Sequence, residues 1–333
     1  MISETVRSSA DLKISKKIPI INIIKGLVPT ILILLGIAEH ISLPNKQVPF
    51  TTGAYTKVLI GALVLSAVLF IISMINKKFG SIYLYRAPFI SALIVLFIVW
   101  DISTLKYALL PLPFFPGPDK VLNIFASDWA LLLKCTAYSA RLLLSGYLIG
   151  AAMGLVTGTF MGWNQRVNYW IGPLLKIIGP IPATAWIPIA LVAFPTSFAA
   201  SVFLIALAVW FPVTVMTSSG IANVQNSYFE VARTLGGGQR YMIFKVAVPA
   251  AMPSIFIGLF MGMGTSFVTL IAAEMLGVKA GLGWYINWSQ GWAEYSKVYA
   301  CLIVLAILFS GLIKLLFAVK DRLLSWQKGL IKW

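Results

Sequence analysis

Long apolar runs constrain this chain more than any other feature of its sequence. Eight stretches hold close to 20 mostly apolar residues each, the length that an α-helix needs to cross the hydrocarbon core of a bilayer. Strands of a membrane β-barrel would alternate apolar and polar residues over about ten positions, a pattern that these continuous runs lack. We therefore predict an all-α polytopic bundle with about eight spans. They lie near residues 18–38, 58–75, 84–104, 138–161, 170–193, 197–217, 252–275 and 297–318.

The composition supports a lipid environment and argues against nucleic acid as a partner. Hydrophobic residues make up 59% of the chain and charged residues only 11%, whereas soluble domains carry about 25% charged residues. The formal net charge is +16, but its basic residues cluster in short loops and tails, as topogenic signals do. Cys135 and Cys301 lie in or near apolar runs and are predicted to be small core residues. The single histidine, His40, has no companions at metal-ligand spacing.

The positions of the basic residues predict the orientation of the chain. With the N-terminus in the cytoplasm, the pair Lys77–Lys78 and the four basic residues of the C-terminal tail all fall on the cytoplasmic side. This agrees with the positive-inside rule. Both termini and the polar loop at 223–251 are therefore predicted to be cytoplasmic. The C-terminal basic residues are Lys320, Arg322, Lys328 and Lys332.

A polar island, Glu230–Pro249, interrupts the apolar runs. Phe229 and Ala232 stand at helical spacing, and Gly236–Gly238 is expected to end that helix because glycine adopts the left-handed conformation at little cost. Gln239 to Val246 is expected to form a second helix. Pro249 is expected to stop it before the seventh span begins. The sequence thus predicts a helix-turn-helix loop outside the lipid.

The island resembles the EAA signature of permease subunits in binding-protein-dependent ABC importers. That signature reads E-A-A, three residues, G, nine residues, then I-x-L-P. Glu230, Ala232, Gly236 and Pro249 match it in register. The departures are conservative, since valines 231, 246 and 248 replace Ala, Ile and Leu.

The resemblance extends from about residue 105 to the C-terminus. The run Pro180–Pro188 and the segment Gly281–Gly283 are similar to the branch that includes nitrate, taurine, alkanesulfonate and bicarbonate permeases. Two departures leave the substrate open. Gly179 stands where members often carry Arg, and Pro195 stands where they usually carry Gly.

The resemblance implies a fold, partners and a set of coupling residues. It implies a type I importer permease core in residues 84–333, preceded by a tail and two additional helices in residues 1–83. It also implies a second permease copy, ATPase subunits that bind ATP and Mg²⁺, an extracytoplasmic solute-binding protein, and a bacterial plasma (inner) membrane location. No cofactor is expected in this chain, and the solute would be a small anion. The implied ATPase-coupling residues are Phe229, Glu230, Ala232, Arg233, Leu235, Gly236, Arg240 and Pro249.

Three prolines interrupt the fifth apolar run, and they predict a broken helix. Broken helices often line substrate paths in transporters, although a kinked structural helix is an alternative. Lys176 lies one turn before the break and is predicted to extend toward the cytoplasmic edge. Glu274 is expected either to cap a helix or pair with a polar group, or to contact the pathway. The pathway candidates are Pro180, Pro182, Thr184, Trp186 and Glu274.

Five glycines recur every fourth residue along the fourth span. Small residues at this spacing let two helix backbones approach closely, and a face without side chains can also slide during transport. The sequence therefore predicts tight helix packing on this face. The five residues are Gly146, Gly150, Gly154, Gly158 and Gly162.

The sequence indicates no group in this chain that could supply energy for uphill transport. It contains no P-loop, and we find no catalytic cluster or set of buried acids of the kind a proton-coupled carrier would need. The chain is therefore predicted not to be an enzyme and to depend on a separate ATPase. An autonomous channel or secondary carrier, or a membrane scaffold that transports nothing, remains an alternative at this point.

Overall fold

The computed structural model describes residues 20–47 and 52–324, without the side chains of Ile20, Ile21 and Lys77. The N-terminal tail and the tail residues Lys328 and Lys332, on which the orientation partly rests, lie outside the described residues. Within the described ranges every regular element is a helix, which confirms the predicted all-α class. The chain divides into two compact units, one up to Asn123 and one from Ile124 onward.

The N-terminal unit is built from three long helices. Asn76 connects two of them, and its side chain caps the third helix by accepting hydrogen bonds from the backbone N–H groups of Lys78 (3.1 Å) and Phe79 (3.2 Å). The predicted domain boundary between residues 83 and 84 falls inside this third helix. The elements are α1 (Ile20–Ser42), α2 (Ala54–Ile75), α3 (Lys77–Asp101) and a π-helical turn (Ile102–Lys106).

The C-terminal unit begins within α4 (Pro118–Ser127). Two short helices in it, α6 (Gln165–Ile178) and α7 (Ile187–Ala193), are separated by an irregular segment and a 3₁₀ turn (Ala183–Trp186). A second π-helical segment (Met242–Ala247) precedes α11 (Val248–Gly277). The helices are α5 (Trp129–Trp163), α6 (Gln165–Ile178), α7 (Ile187–Ala193), α8 (Ser197–Ala222), α9 (Asn226–Thr234), α10 (Gln239–Tyr241), α11 (Val248–Gly277), α12 (Leu282–Gly291) and α13 (Tyr295–Leu323).

The predicted number of spans is confirmed. In the described part of the chain, seven helices are long and apolar enough to cross a membrane. The bent pair of α6 with the segment Ala183–Ala193 makes an eighth if it is counted as one span, and its two arms differ in direction by 85°. The break falls at the predicted proline-rich segment, because each proline removes a donor from the helical hydrogen-bond ladder.

Helix α8 packs against two glycine-bearing helices. A β-carbon on Gly154 of α5 would lie 2.7 Å from Cβ of Val213, and one on Gly158 would lie 2.6 Å from Cβ of Thr217. On a neighbouring face of α8, a β-carbon on Gly258 of α11 would lie 2.8 Å from Cβ of Met216. The absent side chains are thus what lets the three backbones approach. The other three glycines of the predicted ladder, Gly146, Gly150 and Gly162, face Ile205, Ala206 and Ser218 of the same helix.

This packing predicts a sharp contrast between two Gly→Ala changes. Gly158→Ala would place its new methyl group against Thr217 and the Thr214 carbonyl, and overpacking of this kind costs about 1–3 kcal/mol. Gly311→Ala, in α13, meets no atom within 4 Å and should be neutral or stabilising. Thermal unfolding of the purified protein should show a lower midpoint for Gly158→Ala only. Equal midpoints for the two variants would show that α5 and α8 do not pack this closely.

Candidate functional site

The first arm of the polar loop is α9, which has one buried and one exposed face. Ala232 is buried, and the Phe229 ring packs edge-on against Trp163 at the end of α5, with 5.6 Å between ring centroids. Glu230 and Arg233 point to the exposed face. The inner face therefore fixes the arm to the helical core, while its charged residues remain open to a partner.

A glycine turn closes this arm. The Gly237 N–H donates to the Ala232 carbonyl (2.8 Å), and the Gly236 N–H donates to the Arg233 carbonyl (2.9 Å). These two bonds form a Schellman motif, in which the residue after the C-cap is left-handed. Gly236 occupies that position with φ of +80°. The predicted glycine turn is therefore present, and its geometry depends on Gly236.

The second arm differs from the prediction. Pro249 was expected to stop the helix that begins at Gln239, and that expectation is wrong. The helix continues without a break from Gln239 to Gly277, and Pro249 lies in the first turn of α11. Proline is tolerated in a first helical turn, and the π-helical segment Met242–Ala247 before it already departs from the α-helical bonding register. The loop is thus directly continuous with a membrane helix.

The tip of the loop exposes apolar residues among charged ones. Leu235 is 81% exposed and Val231 is 60% exposed. Arg240, on the opposite side of the turn, is exposed as well. Of the eight predicted coupling residues, Phe229, Ala232 and Pro249 are at least partly covered by the core and the other five are open to solvent. Sequence reasoning did not identify Trp163, whose contact with Phe229 joins residues far apart in the chain.

The proline-rich break opens a cleft of about 590 Å³ between the bent pair, α8 and α11. Pro182 and Thr184 of the break line it on one side, and Phe211 of α8 and Thr265 of α11 line it on the others. Most of its lining is apolar. The structure therefore places two of the predicted pathway residues in this cleft.

A second cleft, of about 620 Å³, lies on the other side of the break. It shares Gly179 and Phe211 with the first cleft, and Pro180, a third predicted pathway residue, lines it. Lys176 reaches this cleft beside Ser218 and Ser219. Among the described residues that line either cleft, Lys176 alone carries a charge.

Trp186 and Glu274 do not line either cleft. Trp186 packs beside Ile187 and Ala190, and its buried Nε1 has no hydrogen-bond partner among the described residues. Glu274 is fully buried and accepts hydrogen bonds from the Ser139 hydroxyl (2.7 Å) and the Gly283 N–H (2.8 Å). These contacts correspond to the predicted helix-capping alternative for Glu274.

The carboxylate of Glu274 fixes the start of α12. The Leu282 N–H donates to the Ser139 hydroxyl oxygen (2.8 Å), so Ser139 links α5, Glu274 and α12. A negative charge is favourable at a helix N-terminus, where N–H groups are unpaired. Farther along α12, the Tyr285 hydroxyl donates to Asp128 Oδ2 (2.9 Å), and burial raises the pKa of Tyr285. Hydrogen bonds to Glu274, Ser139 and Asp128 therefore hold α12 onto the bundle.

Comparison with known proteins decides the class to which this chain belongs. Residues 146–327 match the sequence model of a family described as the binding-protein-dependent transport system inner membrane component. This chain belongs to that family. The matched region of the permease contains the loop, both clefts and Glu274, and the N-terminal unit lies outside it. The predicted permease class is confirmed.

Relatives of the permease indicate its branch of the family. A bicarbonate transport system permease of Synechococcus elongatus is 35% identical over 54% of this chain and 63% of its own length. A nitrate import permease of the same species is 26% identical over 73% of this chain and 89% of its own length. A Bacillus subtilis protein named for aliphatic sulfonates transport is 31% identical over 59% of this chain and 70% of its own length. The permease thus falls in the predicted nitrate, sulfonate and bicarbonate branch.

Among solved structures, one of the MetNI methionine ABC transporter in inward-facing conformations is similar to this permease. It matches 59% of this chain and 95% of that chain at 18% identity, with a TM-score of 0.47. Family membership and the long apolar helices together make the permease a multi-pass inner-membrane protein.

Proposed function

We propose that this permease is the transmembrane subunit of an ATP-driven importer and that its loop at 223–251 couples it to separate ATPase subunits. The observation that supports this proposal most directly is the structure of the loop. Its inner face is fixed to the core through Phe229 and Ala232, while Leu235 and Val231 expose apolar surface at its tip. Exposed apolar residues rimmed by polar ones are typical of protein interaction sites.

The proposed partners follow from this assignment. The loop and both termini face the cytoplasm, where the ATPase subunits hold ATP and Mg²⁺. A solute-binding protein delivers the solute at the opposite face. A second copy of the permease completes the pathway. In this arrangement the two clefts beside the proline break face the interface between the copies. Lys176, Ser218 and Ser219 in the second cleft support this arrangement, because charged and polar groups are costly when they face lipid.

The proposed solute is a small anion. Bicarbonate, nitrate and sulfonates, the solutes in the names of the relatives, all carry negative charge. In the permease, Lys176 supplies a positive charge in the second cleft, and no acidic residue is among the described residues that line either cleft. A lone cation in an otherwise neutral path attracts anions and disfavours cations. Lys176 is therefore proposed as a contact on the path.

An autonomous channel or secondary carrier is the second candidate, and no acid among the described residues lines either cleft to couple such a carrier to protons. Glu274 lies in a membrane-spanning helix of the C-terminal unit. Each of its carboxyl oxygens accepts a hydrogen bond, one from Ser139 and one from Gly283 at the start of α12. Its bonded carboxylate is buried rather than open to a path.

The turn at Gly236 provides the direct test of coupling. Gly236→Val forces a β-branched residue to φ of +80°, which costs about 1–2 kcal/mol and should distort the loop tip while leaving the membrane helices intact. Uptake by vesicles that contain the complete transporter should fall by about tenfold, the ratio that corresponds to 1.4 kcal/mol, without loss of membrane insertion. Gly238→Ala is the matched control, since Gly238 has φ of −74° and open space around it. Full uptake by Gly236→Val would count against a coupling role for this loop.

Removal of the Lys176 charge tests the proposed solute class. Lys176→Gln should reduce the maximal rate of nitrate or bicarbonate uptake by about fivefold, which corresponds to about 1 kcal/mol of electrostatic attraction at a partly solvated site. Lys314→Gln removes an equal charge from an exposed position on α13 that lines neither cleft. It should leave the rate unchanged. If both variants transport equally well, Lys176 does not contact the anion.

A further inference from the structure

The N-terminal unit contains a cluster of ionisable groups that the transport function does not use. The ends of α1 and α3 and the start of α2 bring Glu39, His40, Tyr55, Asp101 and Lys106 together. His40 Nδ1 lies 2.8 Å from Asp101 Oδ2, and the imidazole meets the Tyr55 ring edge-on at 5.0 Å between centroids. Asp101 is fully buried, and the His40 side chain is almost so. Charged groups at such positions are retained only when they are paired or neutralised.

Lys106 has no bonding capacity left for the acids. Its ammonium donates to the carbonyls of His40 (2.5 Å) and Leu43 (2.9 Å) and to the Asn45 side-chain oxygen (2.9 Å). An ammonium group has three N–H donors, so all three are engaged. Lys106 contributes a positive charge to the cluster but no hydrogen bond to Glu39 or Asp101.

Three carboxyl oxygens of the cluster are buried and have no hydrogen-bond partner among the described residues. They are both side-chain oxygens of Glu39 and Oδ1 of Asp101. Glu39 precedes His40 in α1, and His40 bonds to Asp101 Oδ2, so both carboxyl groups belong to the same buried cluster. Two ionised carboxylates have only acceptors and repel. One proton shared by the two groups removes this repulsion and supplies one hydrogen bond between them.

The charges of the cluster lead to the same requirement. Glu39 and Asp101 contribute two negative charges when ionised, and Lys106 contributes one positive charge. Tyr55 adds none as a neutral phenol. Asp119, the remaining acid near the start of α2, already accepts from the Thr52 N–H and hydroxyl and from the Tyr55 N–H. One further positive charge therefore neutralises the buried group.

We propose that Glu39 and Asp101 form a binding site for one proton, held between their two carboxyl groups. His40 Nδ1–H donates to Asp101 Oδ2, which leaves Asp101 Oδ1 for Glu39. A metal ion fits the site less well, because the Lys106 ammonium is a neighbouring positive charge. In addition, no group of three or more His, Cys, Asp or Glu in the described residues has the geometry to hold one. In the proposed orientation the site lies on the outer side of the membrane.

The bound proton makes the stability of the N-terminal unit depend on pH. In the unfolded chain the acids are ionised at neutral pH, so the folded unit binds one more proton than the unfolded one. Stability then falls as the pH rises. For a difference of one proton, the opening equilibrium constant rises about tenfold per pH unit. This dependence ends where the folded site itself loses the proton.

Hydrogen–deuterium exchange of the full chain in lipid nanodiscs tests the proposal. Exchange of peptides from α1, α2 and α3, corrected for the intrinsic effect of pH, reports the opening of this unit. In the wild type the opening constant should rise by up to about tenfold per unit above neutral pH. Glu39→Gln keeps the shape of the side chain but removes the need for the proton, so its opening constant should vary much less with pH. Asp321→Asn, an exposed acid in α13, is the control and should behave as wild type.

The outcomes separate a proton site from a merely structural contact. If Glu39→Gln opens more readily at every pH with the wild-type slope, Glu39 only packs and the proposal fails. Protection of the wild type by added sodium at fixed pH, with no such protection in Glu39→Gln, would replace the proton by a metal cation and also overturn it. Infrared spectroscopy supplies a second readout that needs no unfolding. The absorption of a buried protonated carboxyl should be present in the wild type at neutral pH and absent from both Glu39→Gln and Asp101→Asn.

Discussion

The close approach of α5 and α11 to α8 is the contact on which the permease depends. A glycine face on α5 and glycines on α11 remove the side chains that would hold the backbones apart. In lipid the hydrophobic effect does not drive helices together, so van der Waals contact and interhelical hydrogen bonds carry the association. The hydroxyl groups of Thr157 and Thr214 lie 2.8 Å apart across this contact and add such a bond. The packing of these three helices therefore fixes the position of the clefts and of the loop that follow from α8.

Both candidate functional regions are attached to this helix. Phe211 and Ser218 of α8 line the clefts beside the proline break, and its last turn leads into the loop. The loop is bound to the same core, since Phe229 packs with Ile221 of α8 and Ala247 before α11. A close-packed interior transmits displacement rather than absorbing it. In the proposed transporter, a push on the loop would therefore reach two walls of the cleft at once.

The sequence predicted the features that depend on local pattern. Apolar runs predicted the spans, the four-residue glycine spacing predicted the helix contact, and Gly236 predicted the turn. The prediction that Pro249 ends a helix is wrong, because the sequence alone does not show whether a proline ends a helix or lies in its first turn. The bond between Ser139 and Glu274 joins residues 135 positions apart, and no local pattern marks it. His40 stands alone in the sequence for the same reason, since Asp101 meets it only through the fold.

In the proposed function, this chain moves solute only when an ATPase drives it through the loop. Uptake of a small anion by sealed vesicles tests that claim directly, with the permease alone in one set and with its ATPase subunits in the other. Solute-binding protein is supplied to both sets, and ATP to the side that carries the loop. Accumulation only in vesicles with the ATPase and ATP is the predicted result. Flux through the permease alone, without ATP, would contradict the account and establish an autonomous channel or carrier.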